Sequence, residues 1–348
     1  MLLVDSLYIN NSGGKVLLDY LVSELEKRNI FPYYLFDKRC INDYKEIPDE
    51  RKIFLKANLW NRHRFYLQNK NKFASIFCFG NLPPTLMMKN KKVITYFHQP
   101  HFLQKIYLDV LKGKIRIFSK KLLLQLLLRY TNKVIVQSEF IRNKFKKTYN
   151  CSSIDVLVIP FFYIPELTIK DDIYGKNKNS YLYVSGGNKH KNHIRLLKAW
   201  ELLAEDGYFP ELGLTIENGK FPHINNEILK LKNKGVKIVN YGFTDPYPLY
   251  DKYEYLIYPS LLETLGLGQV EAIKRGCKVI ASDLPHTYAI IQPSFVFNPL
   301  KVNSIKNAVI KSIEEKNLSE SSINIENKID ELIQLIVHET THSRPQNR

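Results

Sequence analysis

Two glutamates, Glu263 and Glu271, stand with seven residues between them in the segment YPSLLETLGLGQVEAIKRGCKVIASDLP, from Tyr258 to Pro285. Ionised carboxylates only accept hydrogen bonds, which suits them to ligands rich in hydroxyl groups. Gly266 and Gly268 between them permit a tight backbone, and a helix is expected from Gly268 to Arg275, with Gly276 as its C-cap. The amides of Gly266, Leu267 and Gly268 then stand at a helix N-terminus, an anion site shaped for a diphosphate. A second candidate is Lys191 in YLYVSGGNKHKNHIRLLKAW, which reads as a strand, a polar glycine-rich loop and an amphipathic helix. A lysine near a helix start is a point charge for a phosphate, and departure of a phosphate leaving group needs such charge. Taken alone, the same residues also describe two solvated glutamates beside a strand–helix turn and a solvated lysine loop.

These groups must be carried by regular elements, and strand-like and helix-like runs alternate along the chain. Strands are expected at Leu2–Ile9, Phe31–Phe36, Ile53–Leu55, Ser75–Cys78, Lys92–Tyr96, Lys133–Gln137 and Ile154–Ile159. Helices are expected at Gly14–Arg28, within 103–131 and from Glu139. After Pro160 and the loose stretch DDIYGKNKNS a second series begins at Ser180–Val184. It continues through the helix His193–Ala204, the strand Leu212–Ile216, a helix near Asn226–Lys234 and the strands Val236–Asn240 and Tyr255–Tyr258. The strands Lys278–Ala281 and Phe295–Phe297 and the helices Val302–Lys316 and Ile323–Val337 complete it. Strands alternating with helices imply parallel sheets covered on both faces. The domain plan is residues 1–165, a linker at 166–179, a second domain at 180–322, a helix at 323–338 and a frayed tail at 339–348. Ligands of such sheets sit outside the carboxyl ends of the strands, so the cleft between the domains is the expected site.

The 348 residues suit two domains, with 45% hydrophobic and 24% charged side chains, which excludes disordered and fibrous classes. No eighteen-residue apolar run exists; the richest, Leu122 to Leu128, is broken by Gln125. The start MLLVDSLYIN carries Asp5 and no basic flank, so it reads as a first strand and not as a signal peptide. Cys40, Cys78, Cys151 and Cys277 make no CxxC pair and no zinc spacing, which suits a reducing cytoplasm. Charge is uneven. Residues 1–165 hold 28 basic and 12 acidic side chains, while residues 166–348 hold 23 and 22. A cationic half needs anions: nucleic acid, anionic lipid headgroups or phosphorylated ligands. From Leu103 to Lys133, Lys105, Lys112, Lys114, Arg116, Lys120, Lys121, Arg129 and Lys133 are mixed with apolar residues, the composition of a segment that lies on a membrane surface. A solvated helix face is the plainer reading. No RNP-like run, zinc finger or GXXG loop argues for nucleic acid.

The segment at Tyr258–Pro285 resembles the E-x7-E signature of the large retaining glycosyltransferase family of GT-B fold (family 4, "glycosyl transferases group 1"). Its usual form, P-S-x-x-E-x-x-G-x-x-x-x-E-A, is matched by Pro259, Ser260, Glu263, Gly266, Glu271 and Ala272. The basic loop resembles the family's V-G-R-x-x-x-x-K-N-x-x-x-L-x-x-A motif through Lys191, Asn192, Leu196 and Ala199, with Gly186 at the arginine position and Lys189 or His190 left to supply a second charge. The resemblance implies that Glu263 binds hydroxyls of the donor sugar, that Glu271 binds the ribose, and that Gly266, Leu267 and Gly268 hold the diphosphate beside Lys191. Asn11-Ser-Gly-Gly-Lys-Val resembles the family's N-terminal glycine loop, which places Gly13 and Gly14 near the donor phosphate; a plain helix start reads the same. His98 in VITYFHQPHF stands where relatives place a histidine facing the donor sugar, with His101 as its rival, and Phe243 after Tyr241-Gly242 stands near the base.

The resemblance further implies a fold class of α/β, GT-B, two Rossmann-like doubly wound domains, with acceptor binding in the first and nucleotide-sugar binding in the second. The last helix is expected to pack back on the first domain. The implied reaction moves a hexosyl unit from a UDP- or GDP-sugar to a glycan acceptor on a lipid carrier, with retention, no metal and no bound cofactor. It implies work in O-antigen or capsule assembly, at the inner face of the cell membrane through the basic N-terminal domain. The alternatives are another GT-B enzyme, such as a nucleotide-sugar epimerase, and a non-catalytic binding subunit, which the missing arginine at Gly186 favours.

Overall fold

The structure, a computed structural model, describes residues 1–103, 111–149, 154–165, 175–315 and 318–338. It divides into two compact units, Met1–Tyr163 together with the C-terminal segment from Glu326, and Ile164–Ile325.

In the first unit the chain runs β1 (Leu2–Asp5), α1 (Ser12–Lys27), β2 (Tyr33–Asp37), β3 (Lys52–Leu55), α2 (Leu59–Asn69), β4 (Ser75–Cys78), β5 (Lys92–Tyr96), α3 (Leu111–Leu127), β6 (Lys133–Val136), α4 (Glu139–Thr148) and β7 (Asp155–Val158). All neighbours pair in parallel in the order β3-β2-β1-β4-β5-β6-β7. β1, β2 and β4 are buried along their whole length, as expected of strands covered on both faces. β1 ends at Asp5, short of the expected Ile9, because Ile9 N bonds back to Ser6 O and Tyr8 takes a φ of 87°. α2 had no counterpart in the sequence reading. Its buried face is Arg62, Phe65 and Tyr66, and a charged residue on the inner stripe hides the amphipathic pattern. Arg62 is neutralised there by Asp5 at 2.8 Å and by the carbonyls of Leu82 and Pro83.

The second unit runs β8 (Asn177–Tyr183), α5 (His193–Glu205), β9 (Glu211–Leu214), α6 (Pro222–Asn233), β10 (Ile238–Asn240), α7 (Tyr247–Lys252), β11 (Tyr253–Tyr258), α8 (Leu267–Lys274), β12 (Lys278–Ser282), α9 (Pro285–Tyr288), β13 (Ile291–Gln292), β14 (Phe295–Phe297), α10 (Val302–Glu314) and β15 (Ser322–Ile323). Its main sheet is parallel in the order β10-β9-β8-β11-β12-β14. Both units therefore share one winding. The order reverses between β1 and β4 in the first and between β8 and β11 in the second, and a crevice opens beyond the strand ends at such a point.

The expected helix Ile323–Val337 starts later, as α11 (Ile329–His338). Ser322 and Ile323 pair antiparallel with Gln292 and Ile291, and Asn324 N donates to Ile290 O, so extended pairing takes the first residues of that run. α11 belongs to the first unit. Lys328 N donates to Pro160 O, Asn327 bridges Phe162 N and Tyr20 Oη, and Asp330 pairs with Arg28 at 2.6 Å. Most of the proposed linker and the tail at 339–348 lie outside the described residues. No helix among the described residues is long and apolar enough to cross a membrane.

Candidate active site

In the second unit two loops leave the sheet at its switch point. β8 runs into Ser185–Asn192, and β11 into Pro259–Gly266. They are tied together: Leu261 N donates to His190 O at 2.8 Å, and Tyr183 Oη to Lys191 O at 2.9 Å. Asn192, in the left-handed region, anchors the first loop through Nδ2 to Pro299 O. This brings Lys191 Nζ to 2.6 Å from Glu263 Oε1. Glu263 is only 9% exposed. Burial pushes its carboxyl up, but the Lys191 ammonium, with help from Ser260 and His190, outweighs burial and holds it below the usual carboxylate range. It is an ionised acceptor in a desolvated place, beside a cation.

Glu271 sits on α8, 8% exposed. Tyr250 Oη donates to its Oε2 at 2.9 Å and Tyr247 Oη to its Oε1 at 3.4 Å. Burial outweighs these donors, and its pKa is raised. The two carboxylates thus occupy opposite electrostatic settings, one held charged by a lysine and one held by neutral hydroxyls. Gly266 caps α8 with φ 59°, a backbone that disfavours a side chain, and an added Cβ would lie 2.5 Å from Gln269 Nε2. Leu267 and Gly268 follow as the first residues of α8, where amides have no intrahelical acceptor. Gln269 is fully buried against this turn, and neither atom of its amide has a hydrogen-bonding partner among the described residues.

The first unit carries a second cluster at its own strand ends. His98 follows β5, with its ring against Phe79 and Tyr96. Asn81 follows β4; its Oδ1 accepts from His98 N at 2.7 Å, which turns Nδ2 toward His98 Nε2 at 3.3 Å. Nε2 is then the acceptor, and the neutral ring carries its proton on Nδ1. Burial pushes the imidazole pKa down to about 4, so the ring is neutral at physiological pH. Gly13 and Gly14 form the first turn of α1. A Cβ on Gly14 would meet His98 Nε2 at 3.2 Å, whereas one on Gly13 would meet open space. Gly14 and His98 are therefore neighbours, and Gly13 is not constrained in this way.

Two further candidates stand apart from the Lys191–Glu263 pair. Lys189 is exposed and lines a cavity of about 490 Å³ with Arg195, Lys198 and His223, a lining that includes neither Lys191 nor Glu263. Lys189–Lys191 is a 3-10 turn, so residues two apart point to different sides. His190 is the second basic group acting on Glu263. Phe243 follows the turn at Gly242 and is 88% exposed. Space is open beside Gly186. The sequence reading missed Asn81, Tyr247, Tyr250 and Gln269. The Gly80-Asn81 turn after a strand and the Tyr247/Tyr250 spacing on one helix face were the available signals. Among the described residues no three His, Cys, Asp or Glu side chains gather to hold a metal ion.

Two parallel α/β sheets with this winding define the class: the fold is that of the GT-B glycosyltransferases. The structure of Anabaena Alr3699/HepE, solved in complex with UDP and glucose, superposes with a TM-score of 0.64 over 98% of this chain and 97% of that one, at 13% identity. Residues 168–328, nearly all of the second unit, match the family model described as "Glycosyl transferases group 1". The O-antigen chain mannosyltransferase RfbU of Salmonella typhimurium (strain LT2) is 26% identical over 230 residues, 63% of this chain and 58% of that protein, less than two thirds of its length. The capsular polysaccharide biosynthesis glycosyltransferase CapH of Staphylococcus aureus is 25% identical over 295 residues, 81% of this chain and 74% of that protein.

Proposed function

We propose that this protein transfers a hexosyl unit from a nucleoside diphosphate sugar to a hydroxyl of a glycan acceptor, with retention of anomeric configuration, in the assembly of a bacterial surface polysaccharide. The observation that carries the reading is the part-buried Lys191–Glu263 pair at the second unit's switch point, one short loop from the α8 N-terminus and Glu271. Support for the reaction class comes from the group 1 family match and from the O-antigen and capsular relatives.

Each group has a role its setting suits. The Lys191 ammonium and the amides of Leu267 and Gly268 oppose the charge that grows on the departing diphosphate. Glu263, kept ionised, accepts from hydroxyls of the donor sugar. Glu271 accepts from the ribose hydroxyls while Tyr247 and Tyr250 hold its carboxylate in place. The positive charge for the leaving group comes from the protein, so the proposed reaction needs no metal and no bound cofactor. The acceptor is a glycan on a lipid carrier, and the protein works at the cytoplasmic face of the membrane.

The donor is identified by thermal protection with UDP- and GDP-sugars, since a ligand that binds only the folded state raises the melting temperature. With that donor and a lipid-linked glycan, Glu263→Gln and Lys191→Met should each lower turnover by about a hundredfold. Unaltered transfer in both variants sinks the site assignment. Isomerisation of the sugar in donor-only incubations would instead make the protein an epimerase.

A further inference from the structure

The second unit's cavity of about 490 Å³ beside Lys189 takes no part in the arrangement around Glu263. Its construction starts at Gly187. A Cβ there would stand 2.5 Å from the Phe221 ring and 2.7 Å from Ile224 Cδ1, so a glycine is what lets the loop after β8 lie against the start of α6. The starts of α5, α6 and α10 then surround one space, with Ile194, Ile224 and Val302 as its apolar wall. Its charge is of one sign. Lys189, Lys198 and His223 are exposed, Arg195 is partly buried, and among the described residues that line the cavity none is acidic. Glu201, the acid one turn along α5 from Lys198, pairs with Lys234 at 2.5 Å. Asn192, just before α5, does not cap the helix: its Nδ2 donates to Pro299 O, and its Oδ1 accepts from Arg195 Nη1 at 2.9 Å. The first amides of α5 therefore have neither an intrahelical acceptor nor a side-chain cap. His193, the first residue of α5, also lines the cavity. It is 2% exposed, and its Nδ1 has no hydrogen-bonding partner among the described residues. A polar atom buried in this way lacks a partner that native structures almost always supply.

We propose that this cavity binds a small phosphate ester, at a site distinct from the one around Lys191 and Glu263. The phosphate sits at the N-terminus of α5, where free amides and the helix dipole favour an anion. Arg195, Lys198 and Lys189 surround it with charge-assisted donors. His193 donates from Nδ1 in the tautomer whose Nε2 accepts from Ser185 Oγ at 3.3 Å. Burial, with the neighbouring Lys191, His190 and His223, pushes the His193 pKa down to about 3, so the ring serves as a neutral donor. A cavity of this volume is in the range of small-molecule sites. Its apolar wall suits an organic body with an apolar face, such as a pyranose ring, better than a bare phosphate ion. A nucleic acid strand needs cations in a row along its path, whereas these converge on one cavity. The Lys189–Lys191 turn divides the two sites, with Lys189 lining the cavity and Lys191 paired to Glu263. The proposal stands apart from the transfer reading, because no residue that reading uses lines the cavity.

The test is titration calorimetry on the full chain carrying Lys191→Met, which removes the cation of the other site, with glucose 1-phosphate, inorganic phosphate and glucose as probes. Glucose 1-phosphate should bind at one site per chain and several-fold more tightly than inorganic phosphate, while glucose alone should give no heat. Adding Arg195→Gln and Lys198→Glu should weaken the ester at least about tenfold. His193→Phe, which keeps a ring against Tyr183 but removes the donor, should weaken it several-fold. The control pair Lys232→Glu and Lys237→Glu, exposed and outside the cavity lining, should leave the affinity unchanged. Circular dichroism and melting like those of the parent protein confirm folding of each variant. Several results would overturn the proposal: no binding of glucose 1-phosphate when Lys191 is replaced, phosphate binding as tightly as its ester, or undiminished binding in the Arg195 and Lys198 variant. Equal weakening by the control pair would do the same, because it would reduce the effect to overall charge. The titration involves no transfer, so its failure leaves the transfer reading intact, and failure of the Glu263 and Lys191 variants to lower transfer leaves this site intact.

Discussion

Lys191 and Glu263 are 72 residues apart in the chain and 2.6 Å apart in space. In the proposed reading a sugar hydroxyl and a phosphate each take over one half of this pair. Gly186 stands where the resembled motif has arginine, so the chain lacks that cation. The space beside Gly186 is open, so Gly186→Arg should fold normally and tighten donor binding by roughly 1 kcal/mol, about fivefold in Kd, read by titration calorimetry. Glu271 behaves oppositely to Glu263. Its folded pKa is raised by burial, so its contribution to stability is fully present below the ordinary carboxylate pKa and is lost as pH rises through the folded value. Glu271→Gln removes that loss. The melting temperature of the variant relative to the parent should therefore rise as pH increases above the ordinary glutamate range, while donor affinity falls about tenfold for want of a charged acceptor. A difference that is flat with pH would contradict the assigned environment.

α2 shows what an element can conceal. Its inward stripe carries Arg62, which reads as a surface residue, yet Arg62 is buried against Asp5 of β1, and Tyr66 from the next turn also donates to that carboxylate. Removing one partner strands a buried charge. Arg62→Met should cost about 3–5 kcal/mol in chemical denaturation. Adding Asp5→Asn, which discharges the stranded group and keeps an acceptor for Tyr66, should recover about half of that. If the double variant is no better than the single one, the cost comes from the lost packing of Arg62 and not from the carboxylate. The same hidden pairing explains why 59–69 was not legible as a helix, whereas α1, α5 and α10, with apolar inward faces, were. Element ends moved for similar reasons: strand pairing at Ser322–Ile323 and the turn at Tyr8 are decided by partners far along the chain.

For the whole molecule the chain path matters most. The C-terminal segment rejoins the first unit, where Ile329, Leu332, Ile333 and Ile336 of α11 are buried. Each such side chain contributes roughly 1.5–3 kcal/mol when buried, partly offset by the ordering of the segment. A chain ending at residue 325 should lose at least about 3 kcal/mol of first-unit stability, seen as a lowered melting transition and faster proteolysis within residues 1–163. Unchanged proteolysis there would mean that the segment rests on the unit without supporting it.

The alternation of strand and helix runs and the glutamates bracketing a glycine turn were legible along the chain. They depend on periodicity and turn chemistry, which act over a few neighbouring residues. Which loops meet was not legible. That follows from strand order, and only when β8 and β11 lie side by side do their loops bring Lys191 to Glu263, turn Lys189 away from it and leave His190 beside it. The same holds for Asn81 against His98 and for Tyr247 and Tyr250 against Glu271. Contacts across tens of residues are chosen by the packing of whole elements, and no local pattern records them.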